Sequence, residues 1–511
     1  TYYQHDNMFC LVCLLYLLVR EFRNIELFIG YDINEYGNIN MNETRYDFKE
    51  IEDKWYKFWE NKKLFNSVIS TKPKYSMVMP PPNVTGVLHI GHALNNSYYD
   101  FIARLKRLQG YNVCWVPGTD HAGIATQNVV EKKLLENGIT RHSIGKDKFL
   151  KEVWKWKDSH GSIIIDQLKK IGCSCDWERE RFTMEPDFID LVHRMFNHLY
   201  DKGLIYRDVY PVNWCSRCCT ALANSEVTHK NVTSKLYYLK YFFEENRDKY
   251  LTVATTRPET IFGDVAIIFN PKDNRYIKFK GKKLIVPITG KIIPLIEDNY
   301  AKVDFGTGLV KVTPCHDKDD YKIGKRYKLP QIQVINSKGN MINTNAEYDG
   351  LHYLEAREKV FVSLEKCRLI DKILPYDTVN GYCYRCNTQT DVNVSLQWFV
   401  KMKSMAANAI KMVDDNRVKF FPSVQEKHFR NWMTDIGDWC ISRQIWWGHQ
   451  IPIKYCINCN NIQNNKHIKC NSCGSSELYQ DPDVLDTWFS SWLWAFGVFS
   501  KKELDLPVNK I

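Results

Sequence analysis

The chain has 511 residues, 44% hydrophobic and 25% charged, which excludes disorder and collagen-like order and predicts about three or four domains. Seventy Lys and Arg against 59 Asp and Glu leave a net charge of +11, which favours a polyanionic partner without specifying one. The 17 cysteines are odd in number, and outside the N-terminal extension eight form four Cys-x-x-Cys pairs, the pattern of metal ligands in a reducing compartment.

Phe9 to Val19 is an unbroken apolar run of eleven residues ended by Arg20, too short to span a bilayer but long enough for a targeting core. No Lys or Arg precedes it, so a targeting segment, a buried helix and a wrong gene start all stay open. Cys10 and Cys13 inside it read as small apolar residues. The chain is expected in the cytoplasm, or in an organelle if this run is a targeting segment. No other segment is apolar enough to cross a membrane.

From Tyr46 the pattern becomes regular. Ile51, Trp55, Phe58 and Trp59 recur at helical spacing, as a packing face does. Tyr75–Met79 is strand-like and is stopped by Pro80, Pro81 and Pro82. Leu94, Tyr98, Phe101, Ile102, Leu105 and Leu108 then share one helical face, with Gly110 at the cap. Tyr111–Val116 is strand-like again and closes on a Pro117-Gly118 turn. Strand, helix, strand is a βαβ unit, which predicts a parallel α/β sheet. From about Lys235 to Lys372 short β-rich runs (Leu251–Thr255, Val265–Phe269, Leu284–Ile288, Leu309–Thr313) predict a mostly β domain set into the chain. After Leu396 the sequence is rich in tryptophan, with Trp398, Trp432, Trp439, Trp446, Trp447 and Trp488. There are no internal repeats, and the polar patch Asn458–Lys466 reads as a surface loop.

The loop Pro80–Gly91 leads into a helix whose N-terminus offers unpaired N–H groups to phosphate. His89 and His92, three apart, lie on one side of that terminus. There they would donate hydrogen bonds to a triphosphate attacked at its α-phosphorus, or else simply cap the helix. Cys456-x-x-Cys459 and Cys470-x-x-Cys473, with ten residues between the pairs, make a four-thiolate zinc ribbon. Cys215/Cys218 and Cys383/Cys386 have 164 residues between them but flank the β insertion, whose two ends should meet and form a second, split site. Four thiolates leave no open position, so both sites should be structural. Cys219 reads as spare.

The string Pro80-Pro81-Pro82-Asn83-Val84-Thr85-Gly86-Val87-Leu88-His89-Ile90-Gly91-His92-Ala93-Leu94-Asn95-Asn96 resembles the nucleotide-binding signature of the class I aminoacyl-tRNA synthetases, and its lead-in resembles their valyl branch. Gly118–Gln127, Trp439–His449 and Asp483–Ser491 are similar to further blocks of that branch, and the resemblance runs from about residue 45 to 496. It implies that His89 and His92 bind ATP phosphates, with Asn95 beside them. It implies that Asp120 holds the substrate ammonium group, and that Pro80, Asn83, Trp447 and Trp488 wall a pocket for a β-branched side chain; ordinary core stays open for both tryptophans. Thr255–Thr260 and Gly306–Asp317 resemble the family's editing motifs. Arg257, Thr260, Lys311, Thr313, Asp317 and Asp320, with Thr255, are then the editing pocket. In it Arg257 and Lys311 would take the terminal adenosine and its phosphate, Asp317 the free ammonium group, and Asp320 with the hydroxyls the OH of threonine; the nucleophile would be water. Such a second site is needed because an apolar pocket rejects an isostere with an added hydroxyl only weakly; valine against threonine is the standard illustration, a factor of about 10².

The resemblance implies an α/β fold, a Rossmann-like parallel-sheet nucleotide-binding domain with an inserted mostly-β editing domain and small zinc modules. The expected divisions are an extension at 1–44, the first catalytic half at 45–210, a split zinc module at 211–234 and 373–395, the editing domain at 235–372, and a return to the catalytic domain at 396–511 with the ribbon at 456–473. The implied reaction joins L-valine to tRNA(Val) through an adenylate made from ATP with Mg2+, with Zn2+ structural, in a monomer that contacts no membrane. The family's Lys-Met-Ser-Lys-Ser motif is missing, and Lys401-Met402-Lys403-Ser404 matches it only superficially and too early. The chain therefore reads as the N-terminal portion of a longer enzyme without the anticodon-binding domain, expected to give no useful ATP–pyrophosphate exchange alone. Measurable exchange would sink that expectation. An isoleucyl enzyme, a freestanding editing hydrolase and a non-catalytic tRNA-binding scaffold are the rivals.

Overall fold

The structure, a computed structural model, describes residues 48–499. The Phe9–Val19 run, Cys10 and Cys13 lie outside the described residues. Among the described residues no helix is long and apolar enough to cross a membrane. The fold is mixed α/β.

The first helix, Phe48–Asn61, carries the expected aromatic stripe, yet none of its residues is fully buried. Trp55 and Phe58 instead meet edge to face, with ring centroids 5.6 Å apart. The βαβ unit is present. Lys74–Met77 pairs in parallel with Asn112–Trp115, and the helix Ile90–Leu108 connects them. Three prolines in a row cannot donate to a ladder, which is why the first strand stops before Pro80.

The apolar face read from the helix is not its buried face. Leu94, Tyr98, Phe101, Leu105 and Leu108 are all exposed, while Asn96 and Ala103 are buried. The sheet beside this helix has two strands only. Small residues let the helix lie close on it, and among the described residues no layer covers the outer side. The expected Pro117-Gly118 turn is also corrected. Gly118–Thr119 pairs in parallel with Arg181–Phe182, and a Cβ on Gly118 would lie 2.1 Å from the Arg181 carbonyl, so only glycine allows this approach.

The middle of the chain forms a seven-stranded sheet. Its order is Leu309–Val312, Ala266–Phe269, Ile292–Glu297, Lys283–Ile285, Val227–Phe243 and Ile370–Cys383, with Tyr250–Thr255 also paired to Val227–Phe243. Alternate residues Tyr237, Leu239, Tyr241 and Phe243 are buried, as period-two alternation requires for a strand with one face on a core. Residues 227 to 236 of that strand continue outward with Ile370–Cys383 as a long antiparallel ribbon, registered Lys235↔Pro375 and Val227↔Cys383. The expected boundaries at 234/235 and 372/373 thus fall within one continuous ribbon.

The remaining strands make smaller sheets. Ile205–Cys215 pairs with Asp391–Val400 and Thr220–Leu222, and Asp391–Val400 pairs on its other side with Trp439–Cys440. The patch Asn458–Lys466 is not all loop, because Ile462–Asn464 joins Ile453–Cys456 and Leu478–Gln480 in a three-stranded sheet. Its polar residues fit there because a short edge strand needs few apolar contacts; Gln463 is the one that is buried.

Candidate functional site

The loop 80–89 is held from behind by the long helix Lys146–Lys170. Trp156 Nε1 donates to the Val84 carbonyl at 2.8 Å, and Gln167 Oε1 accepts from Leu88 N at 2.8 Å. At its end the two histidines cap the helix. His89 Nδ1 accepts from Gly91 N at 3.1 Å, His92 Nδ1 accepts from His89 N at 3.2 Å, and the ring centroids are 3.9 Å apart. Burial and then the neighbouring His89 hold His92 below the usual imidazole range, so it is a neutral acceptor near pH 7. Asn95 is exposed one turn further along.

Asn83 bridges to Asp120, with Val84 N donating to the Asp120 carbonyl at 3.1 Å and Asp120 N to Pro82 at 2.8 Å. The Asp120 side chain is buried. It accepts from Ala122 N at 2.8 Å and from the Ser491 hydroxyl, which brings the Thr487–Ser491 helix against the loop. Trp447 is fully buried, donates to the His121 carbonyl at 2.8 Å and stands edge-on to Trp154. Trp488 is different, with 61% of its surface exposed. Pro80 is also exposed. The structure thus brings Asn83, Asp120 and the helix bearing Trp488 together, and places Trp447 beneath them through His121. Ser491 and Gln127, whose Oε1 accepts from Trp446 N and Trp447 N, were not singled out from the sequence, although both stand in the quoted blocks.

A second cluster centres on Lys311. Its ammonium group reaches Thr260 Oγ1 at 2.9 Å, Thr313 Oγ1 at 2.5 Å and Asp264 Oδ1 at 3.0 Å. Asp320 is buried and accepts from Thr313 N at 2.7 Å. Burial first, and then the neighbouring Asp317 charge, push its carboxyl up to about 7. Asp317 is exposed at the start of the helix Lys318–Tyr327, where it accepts from Asp319 N at 2.8 Å and Asp320 N at 3.0 Å. Thr255 is nearly buried and accepts from Arg257 N at 3.0 Å.

Arg257 is already engaged. Its guanidinium lies 3.1 Å from Glu259 and 2.8 Å from Asp391, and donates to the His316 carbonyl at 3.3 Å. Arg357 clamps the other side of the buried Glu259. Asp391 and Asp264 gave no signal in the sequence beyond being acidic, since their partners are distant in the chain, whereas Glu259 stands inside the Thr255–Thr260 string, two residues from Arg257.

All eight paired cysteines fall into two groups. In Cys215, Cys218, Cys383 and Cys386, and again in Cys456, Cys459, Cys470 and Cys473, the ligand atoms lie within 4.8 Å of one another. Sulfurs of Cys215 and Cys386 are 3.4 Å apart, and those of Cys459 and Cys470 are 3.5 Å apart. A tetrahedron with zinc–sulfur bonds of about 2.3 Å has edges of about 3.8 Å, so both donor sets fit such an ion. Cys219 stands outside the first group and contacts the Ser216 carbonyl.

The profile of the family described as tRNA synthetases class I (I, L, M and V) matches residues 54–507. A valine–tRNA ligase of Thermotoga maritima is 49% identical over 463 residues, which cover 90% of this chain and 53% of that protein. One from Carboxydothermus hydrogenoformans is 48% identical over 454 residues, 88% of this chain and 52% of its own. The chain spans about half the length of the curated relatives it matches. A solved LeuRS from Agrobacterium radiobacter, in a ternary complex with tRNA and LeuAMS, aligns at 20% identity and a TM-score of 0.45, covering 89% of this chain and 60% of its own.

Proposed function

The chain belongs to the class I tRNA synthetases, and from that premise we propose that it is the valine-activating and proofreading portion of a valine–tRNA ligase. The observation that carries this reading is the likeness to named valine–tRNA ligases at 48–49% identity over 88–90% of the chain. The proposed divisions are a Rossmann-like half around the 80–120 loops, an editing domain on the seven-stranded sheet, and two zinc modules at its base and in the 456–473 ribbon.

In the synthetic site, His89, His92 and Asn95 face the ATP phosphates with Mg2+, and helix N–H groups supply the positive end of the dipole. Asp120 receives the ammonium group of L-valine. Ser491 and Ala122 N fix that carboxylate so that its charge is aimed before substrate arrives. Pro80, Asn83, Trp447 and Trp488 enclose the side chain, Trp447 as the fixed floor and Trp488 as the exposed wall. Catalysis here is positioning and electrostatic stabilisation. The acceptor is tRNA(Val).

In the editing site, Thr260, Lys311, Thr313 and Asp320 surround the ester of a mischarged threonyl group, Thr255 shapes the floor, and Asp317 takes the free ammonium group. Arg257, 29% of whose side chain is exposed, faces the terminal adenosine with its outer edge. Hydrolysis of threonyl-tRNA(Val) and valyl-tRNA(Val) by the purified chain tests the reading. Threonine should be released faster by at least about 10²-fold, the discrimination that the synthetic pocket needs added to its own. Preferential release of valine would instead mark an isoleucyl-type editor, and tRNA binding without release of either would mark a scaffold.

The two cysteine groups would hold Zn2+, whose role is to tie chain segments together. Atomic absorption on protein purified without chelator should find two zinc ions per chain, one for each group. Cys383→Ser should leave one. An unchanged content of two in that variant, or none in the wild type, would sink the assignment.

A further inference from the structure

We propose that Asn128 is a positioning residue of the split cysteine group, its amide donating to the Cys218 sulfur and fastening that group to the helix Gly123–Glu136. The inference rests on the reading that Cys215, Cys218, Cys383 and Cys386 hold Zn2+. Asn128 Nδ2 lies 3.5 Å from Cys218 Sγ, although the two residues are 90 positions apart in the chain. The amide oxygen is also near, at 3.8 Å. A metal-bound thiolate has no proton and can only accept, so the N–H edge of the amide faces it.

Charge explains why the sulfur needs a donor. Four thiolates around one divalent ion carry a net charge of about −2, and Cys215, Cys218 and Cys383 are buried. A buried anion is stable only when donors surround it. Two donors come from within the module: Cys218 N lies 3.4 Å from Cys215 Sγ, and the Thr388 hydroxyl lies 3.2 Å from Cys386 Sγ. Of these three donors, Asn128 alone comes from a different part of the fold.

The helix ties this contact to the proposed valine pocket. One turn before Asn128, Ile124 packs in one cluster with Cys215, Cys218, Cys383 and Ile445. Positions four apart share a helix face, so Ile124 and Asn128 meet the cysteine group together. Gln127 stands beside Asn128 and accepts from Trp446 N at 2.8 Å and Trp447 N at 3.2 Å. At the start of the helix, Ala122 N donates to Asp120 Oδ1 at 2.8 Å. Asn128 and Ile124 thus join the split cysteine group to the helix that carries anchors of both Asp120 and Trp447.

Asn128→Leu keeps the branched shape and removes the donor. The full chain, loaded with zinc, is challenged with graded chelator and iodoacetamide, and the alkylated cysteines are mapped by mass spectrometry. Zinc affinity of the split group should fall about 10–100-fold, the usual cost of losing a partner that orients a metal ligand. Cys215, Cys218, Cys383 and Cys386 should therefore become alkylated at correspondingly lower chelator. Cys456, Cys459, Cys470 and Cys473 should be unchanged, which separates the effect from unfolding, since unfolding exposes all eight. Asn128→Asp, which keeps the shape but carries no N–H, should behave alike if the leucine variant fails to fold. Cobalt in place of zinc reads the hydrogen bond directly. The sulfur-to-cobalt charge-transfer band should move to longer wavelength in Asn128→Leu, because a thiolate without its hydrogen bond gives up electrons more readily. A role in packing alone leaves that band in place. Alkylation of the split cysteines in zinc-loaded wild type without chelator would sink the zinc reading, and the proposal with it. Protected cysteines in wild type, with unchanged chelator sensitivity or an unmoved band in Asn128→Leu, would overturn the role of Asn128 alone.

Discussion

Arg443→Met should destabilise the protein by about 3–5 kcal/mol at neutral pH, the usual cost of removing one partner from a buried ion pair. Arg443 is 2% exposed, and its guanidinium pairs with Glu226 at 2.7 Å and with Asp486, both carboxylates also buried. It donates in addition to the carbonyls of Cys440 at 3.0 Å and Ser442 at 2.8 Å. Burial alone would lower its affinity for a proton, but the two carboxylates outweigh that and raise it. Methionine fills a similar volume and leaves two buried carboxylates without a cation.

The pH dependence has a definite sign. Burial already raises Glu226 above its ordinary range, and loss of the arginine raises it further. A folded-state value above the unfolded one costs stability as pH rises through the interval between them. The deficit of Arg443→Met should therefore be largest near pH 8 and smaller at pH 5, which urea melts at the two pH values will show. Asp486 also caps the helix that carries Trp488 and Ser491, with Trp488 N donating to it at 2.9 Å. Glu226 precedes the long ribbon, and Tyr384 N donates to its carbonyl at 3.1 Å. One side chain thus ties the base of the inserted sheet to the wall of the proposed valine pocket.

Asp320→Asn is expected to move stability and activity in opposite directions. The Asp320 carboxyl titrates near 7, against about 3.9 in an unfolded chain, so the folded protein retains a proton that the unfolded chain has lost. Stability must then fall as pH rises from about 4 to about 7, by up to about 4 kcal/mol for a shift of three units. Asparagine carries no charge and keeps an oxygen for Thr313 N, so the variant should be more stable at pH 8, with the gain vanishing by pH 4. Hydrolysis of threonyl-tRNA(Val) should fall about 10²-fold, as expected when a charged group that positions the threonyl ester is lost. The wild-type rate should rise through about pH 7 as Asp320 ionises in the field of Asp317, Lys311 and Asp264, and the variant should lose that limb. A flat wild-type profile, or a variant less stable at pH 8, would refute this account.

Much of this was legible in the residue order because the signals are local. Three prolines stop a strand wherever they stand, His89 and His92 close the N-terminus of the helix Ile90–Leu108, and two Cys-x-x-Cys pairs with ten residues between them already have the reach of a ribbon. The β-rich runs of the insertion also fell close to strands, since alternation reports a half-buried sheet directly. The face of Ile90–Leu108 was misjudged for a related reason. Periodicity reveals that a helix has an apolar side, but which side is covered depends on what lies next to it, and here Ala103 packs in one cluster with Val113 and Trp115 of the two-stranded sheet.

The sequence by itself determined the family, the insertion, the two cysteine sets and the residue types of both proposed pockets. Tertiary structure alone decided which charges meet. Asp264 is one acidic residue among many until Tyr241, Lys311 and Thr313 close around it, and Arg443 is unremarked until folding brings Glu226 to it from 217 positions away. Local pattern records what each residue can do with its chain neighbours. The worth of a charge is set by its burial and by partners across the fold, and these exist only once the chain has closed.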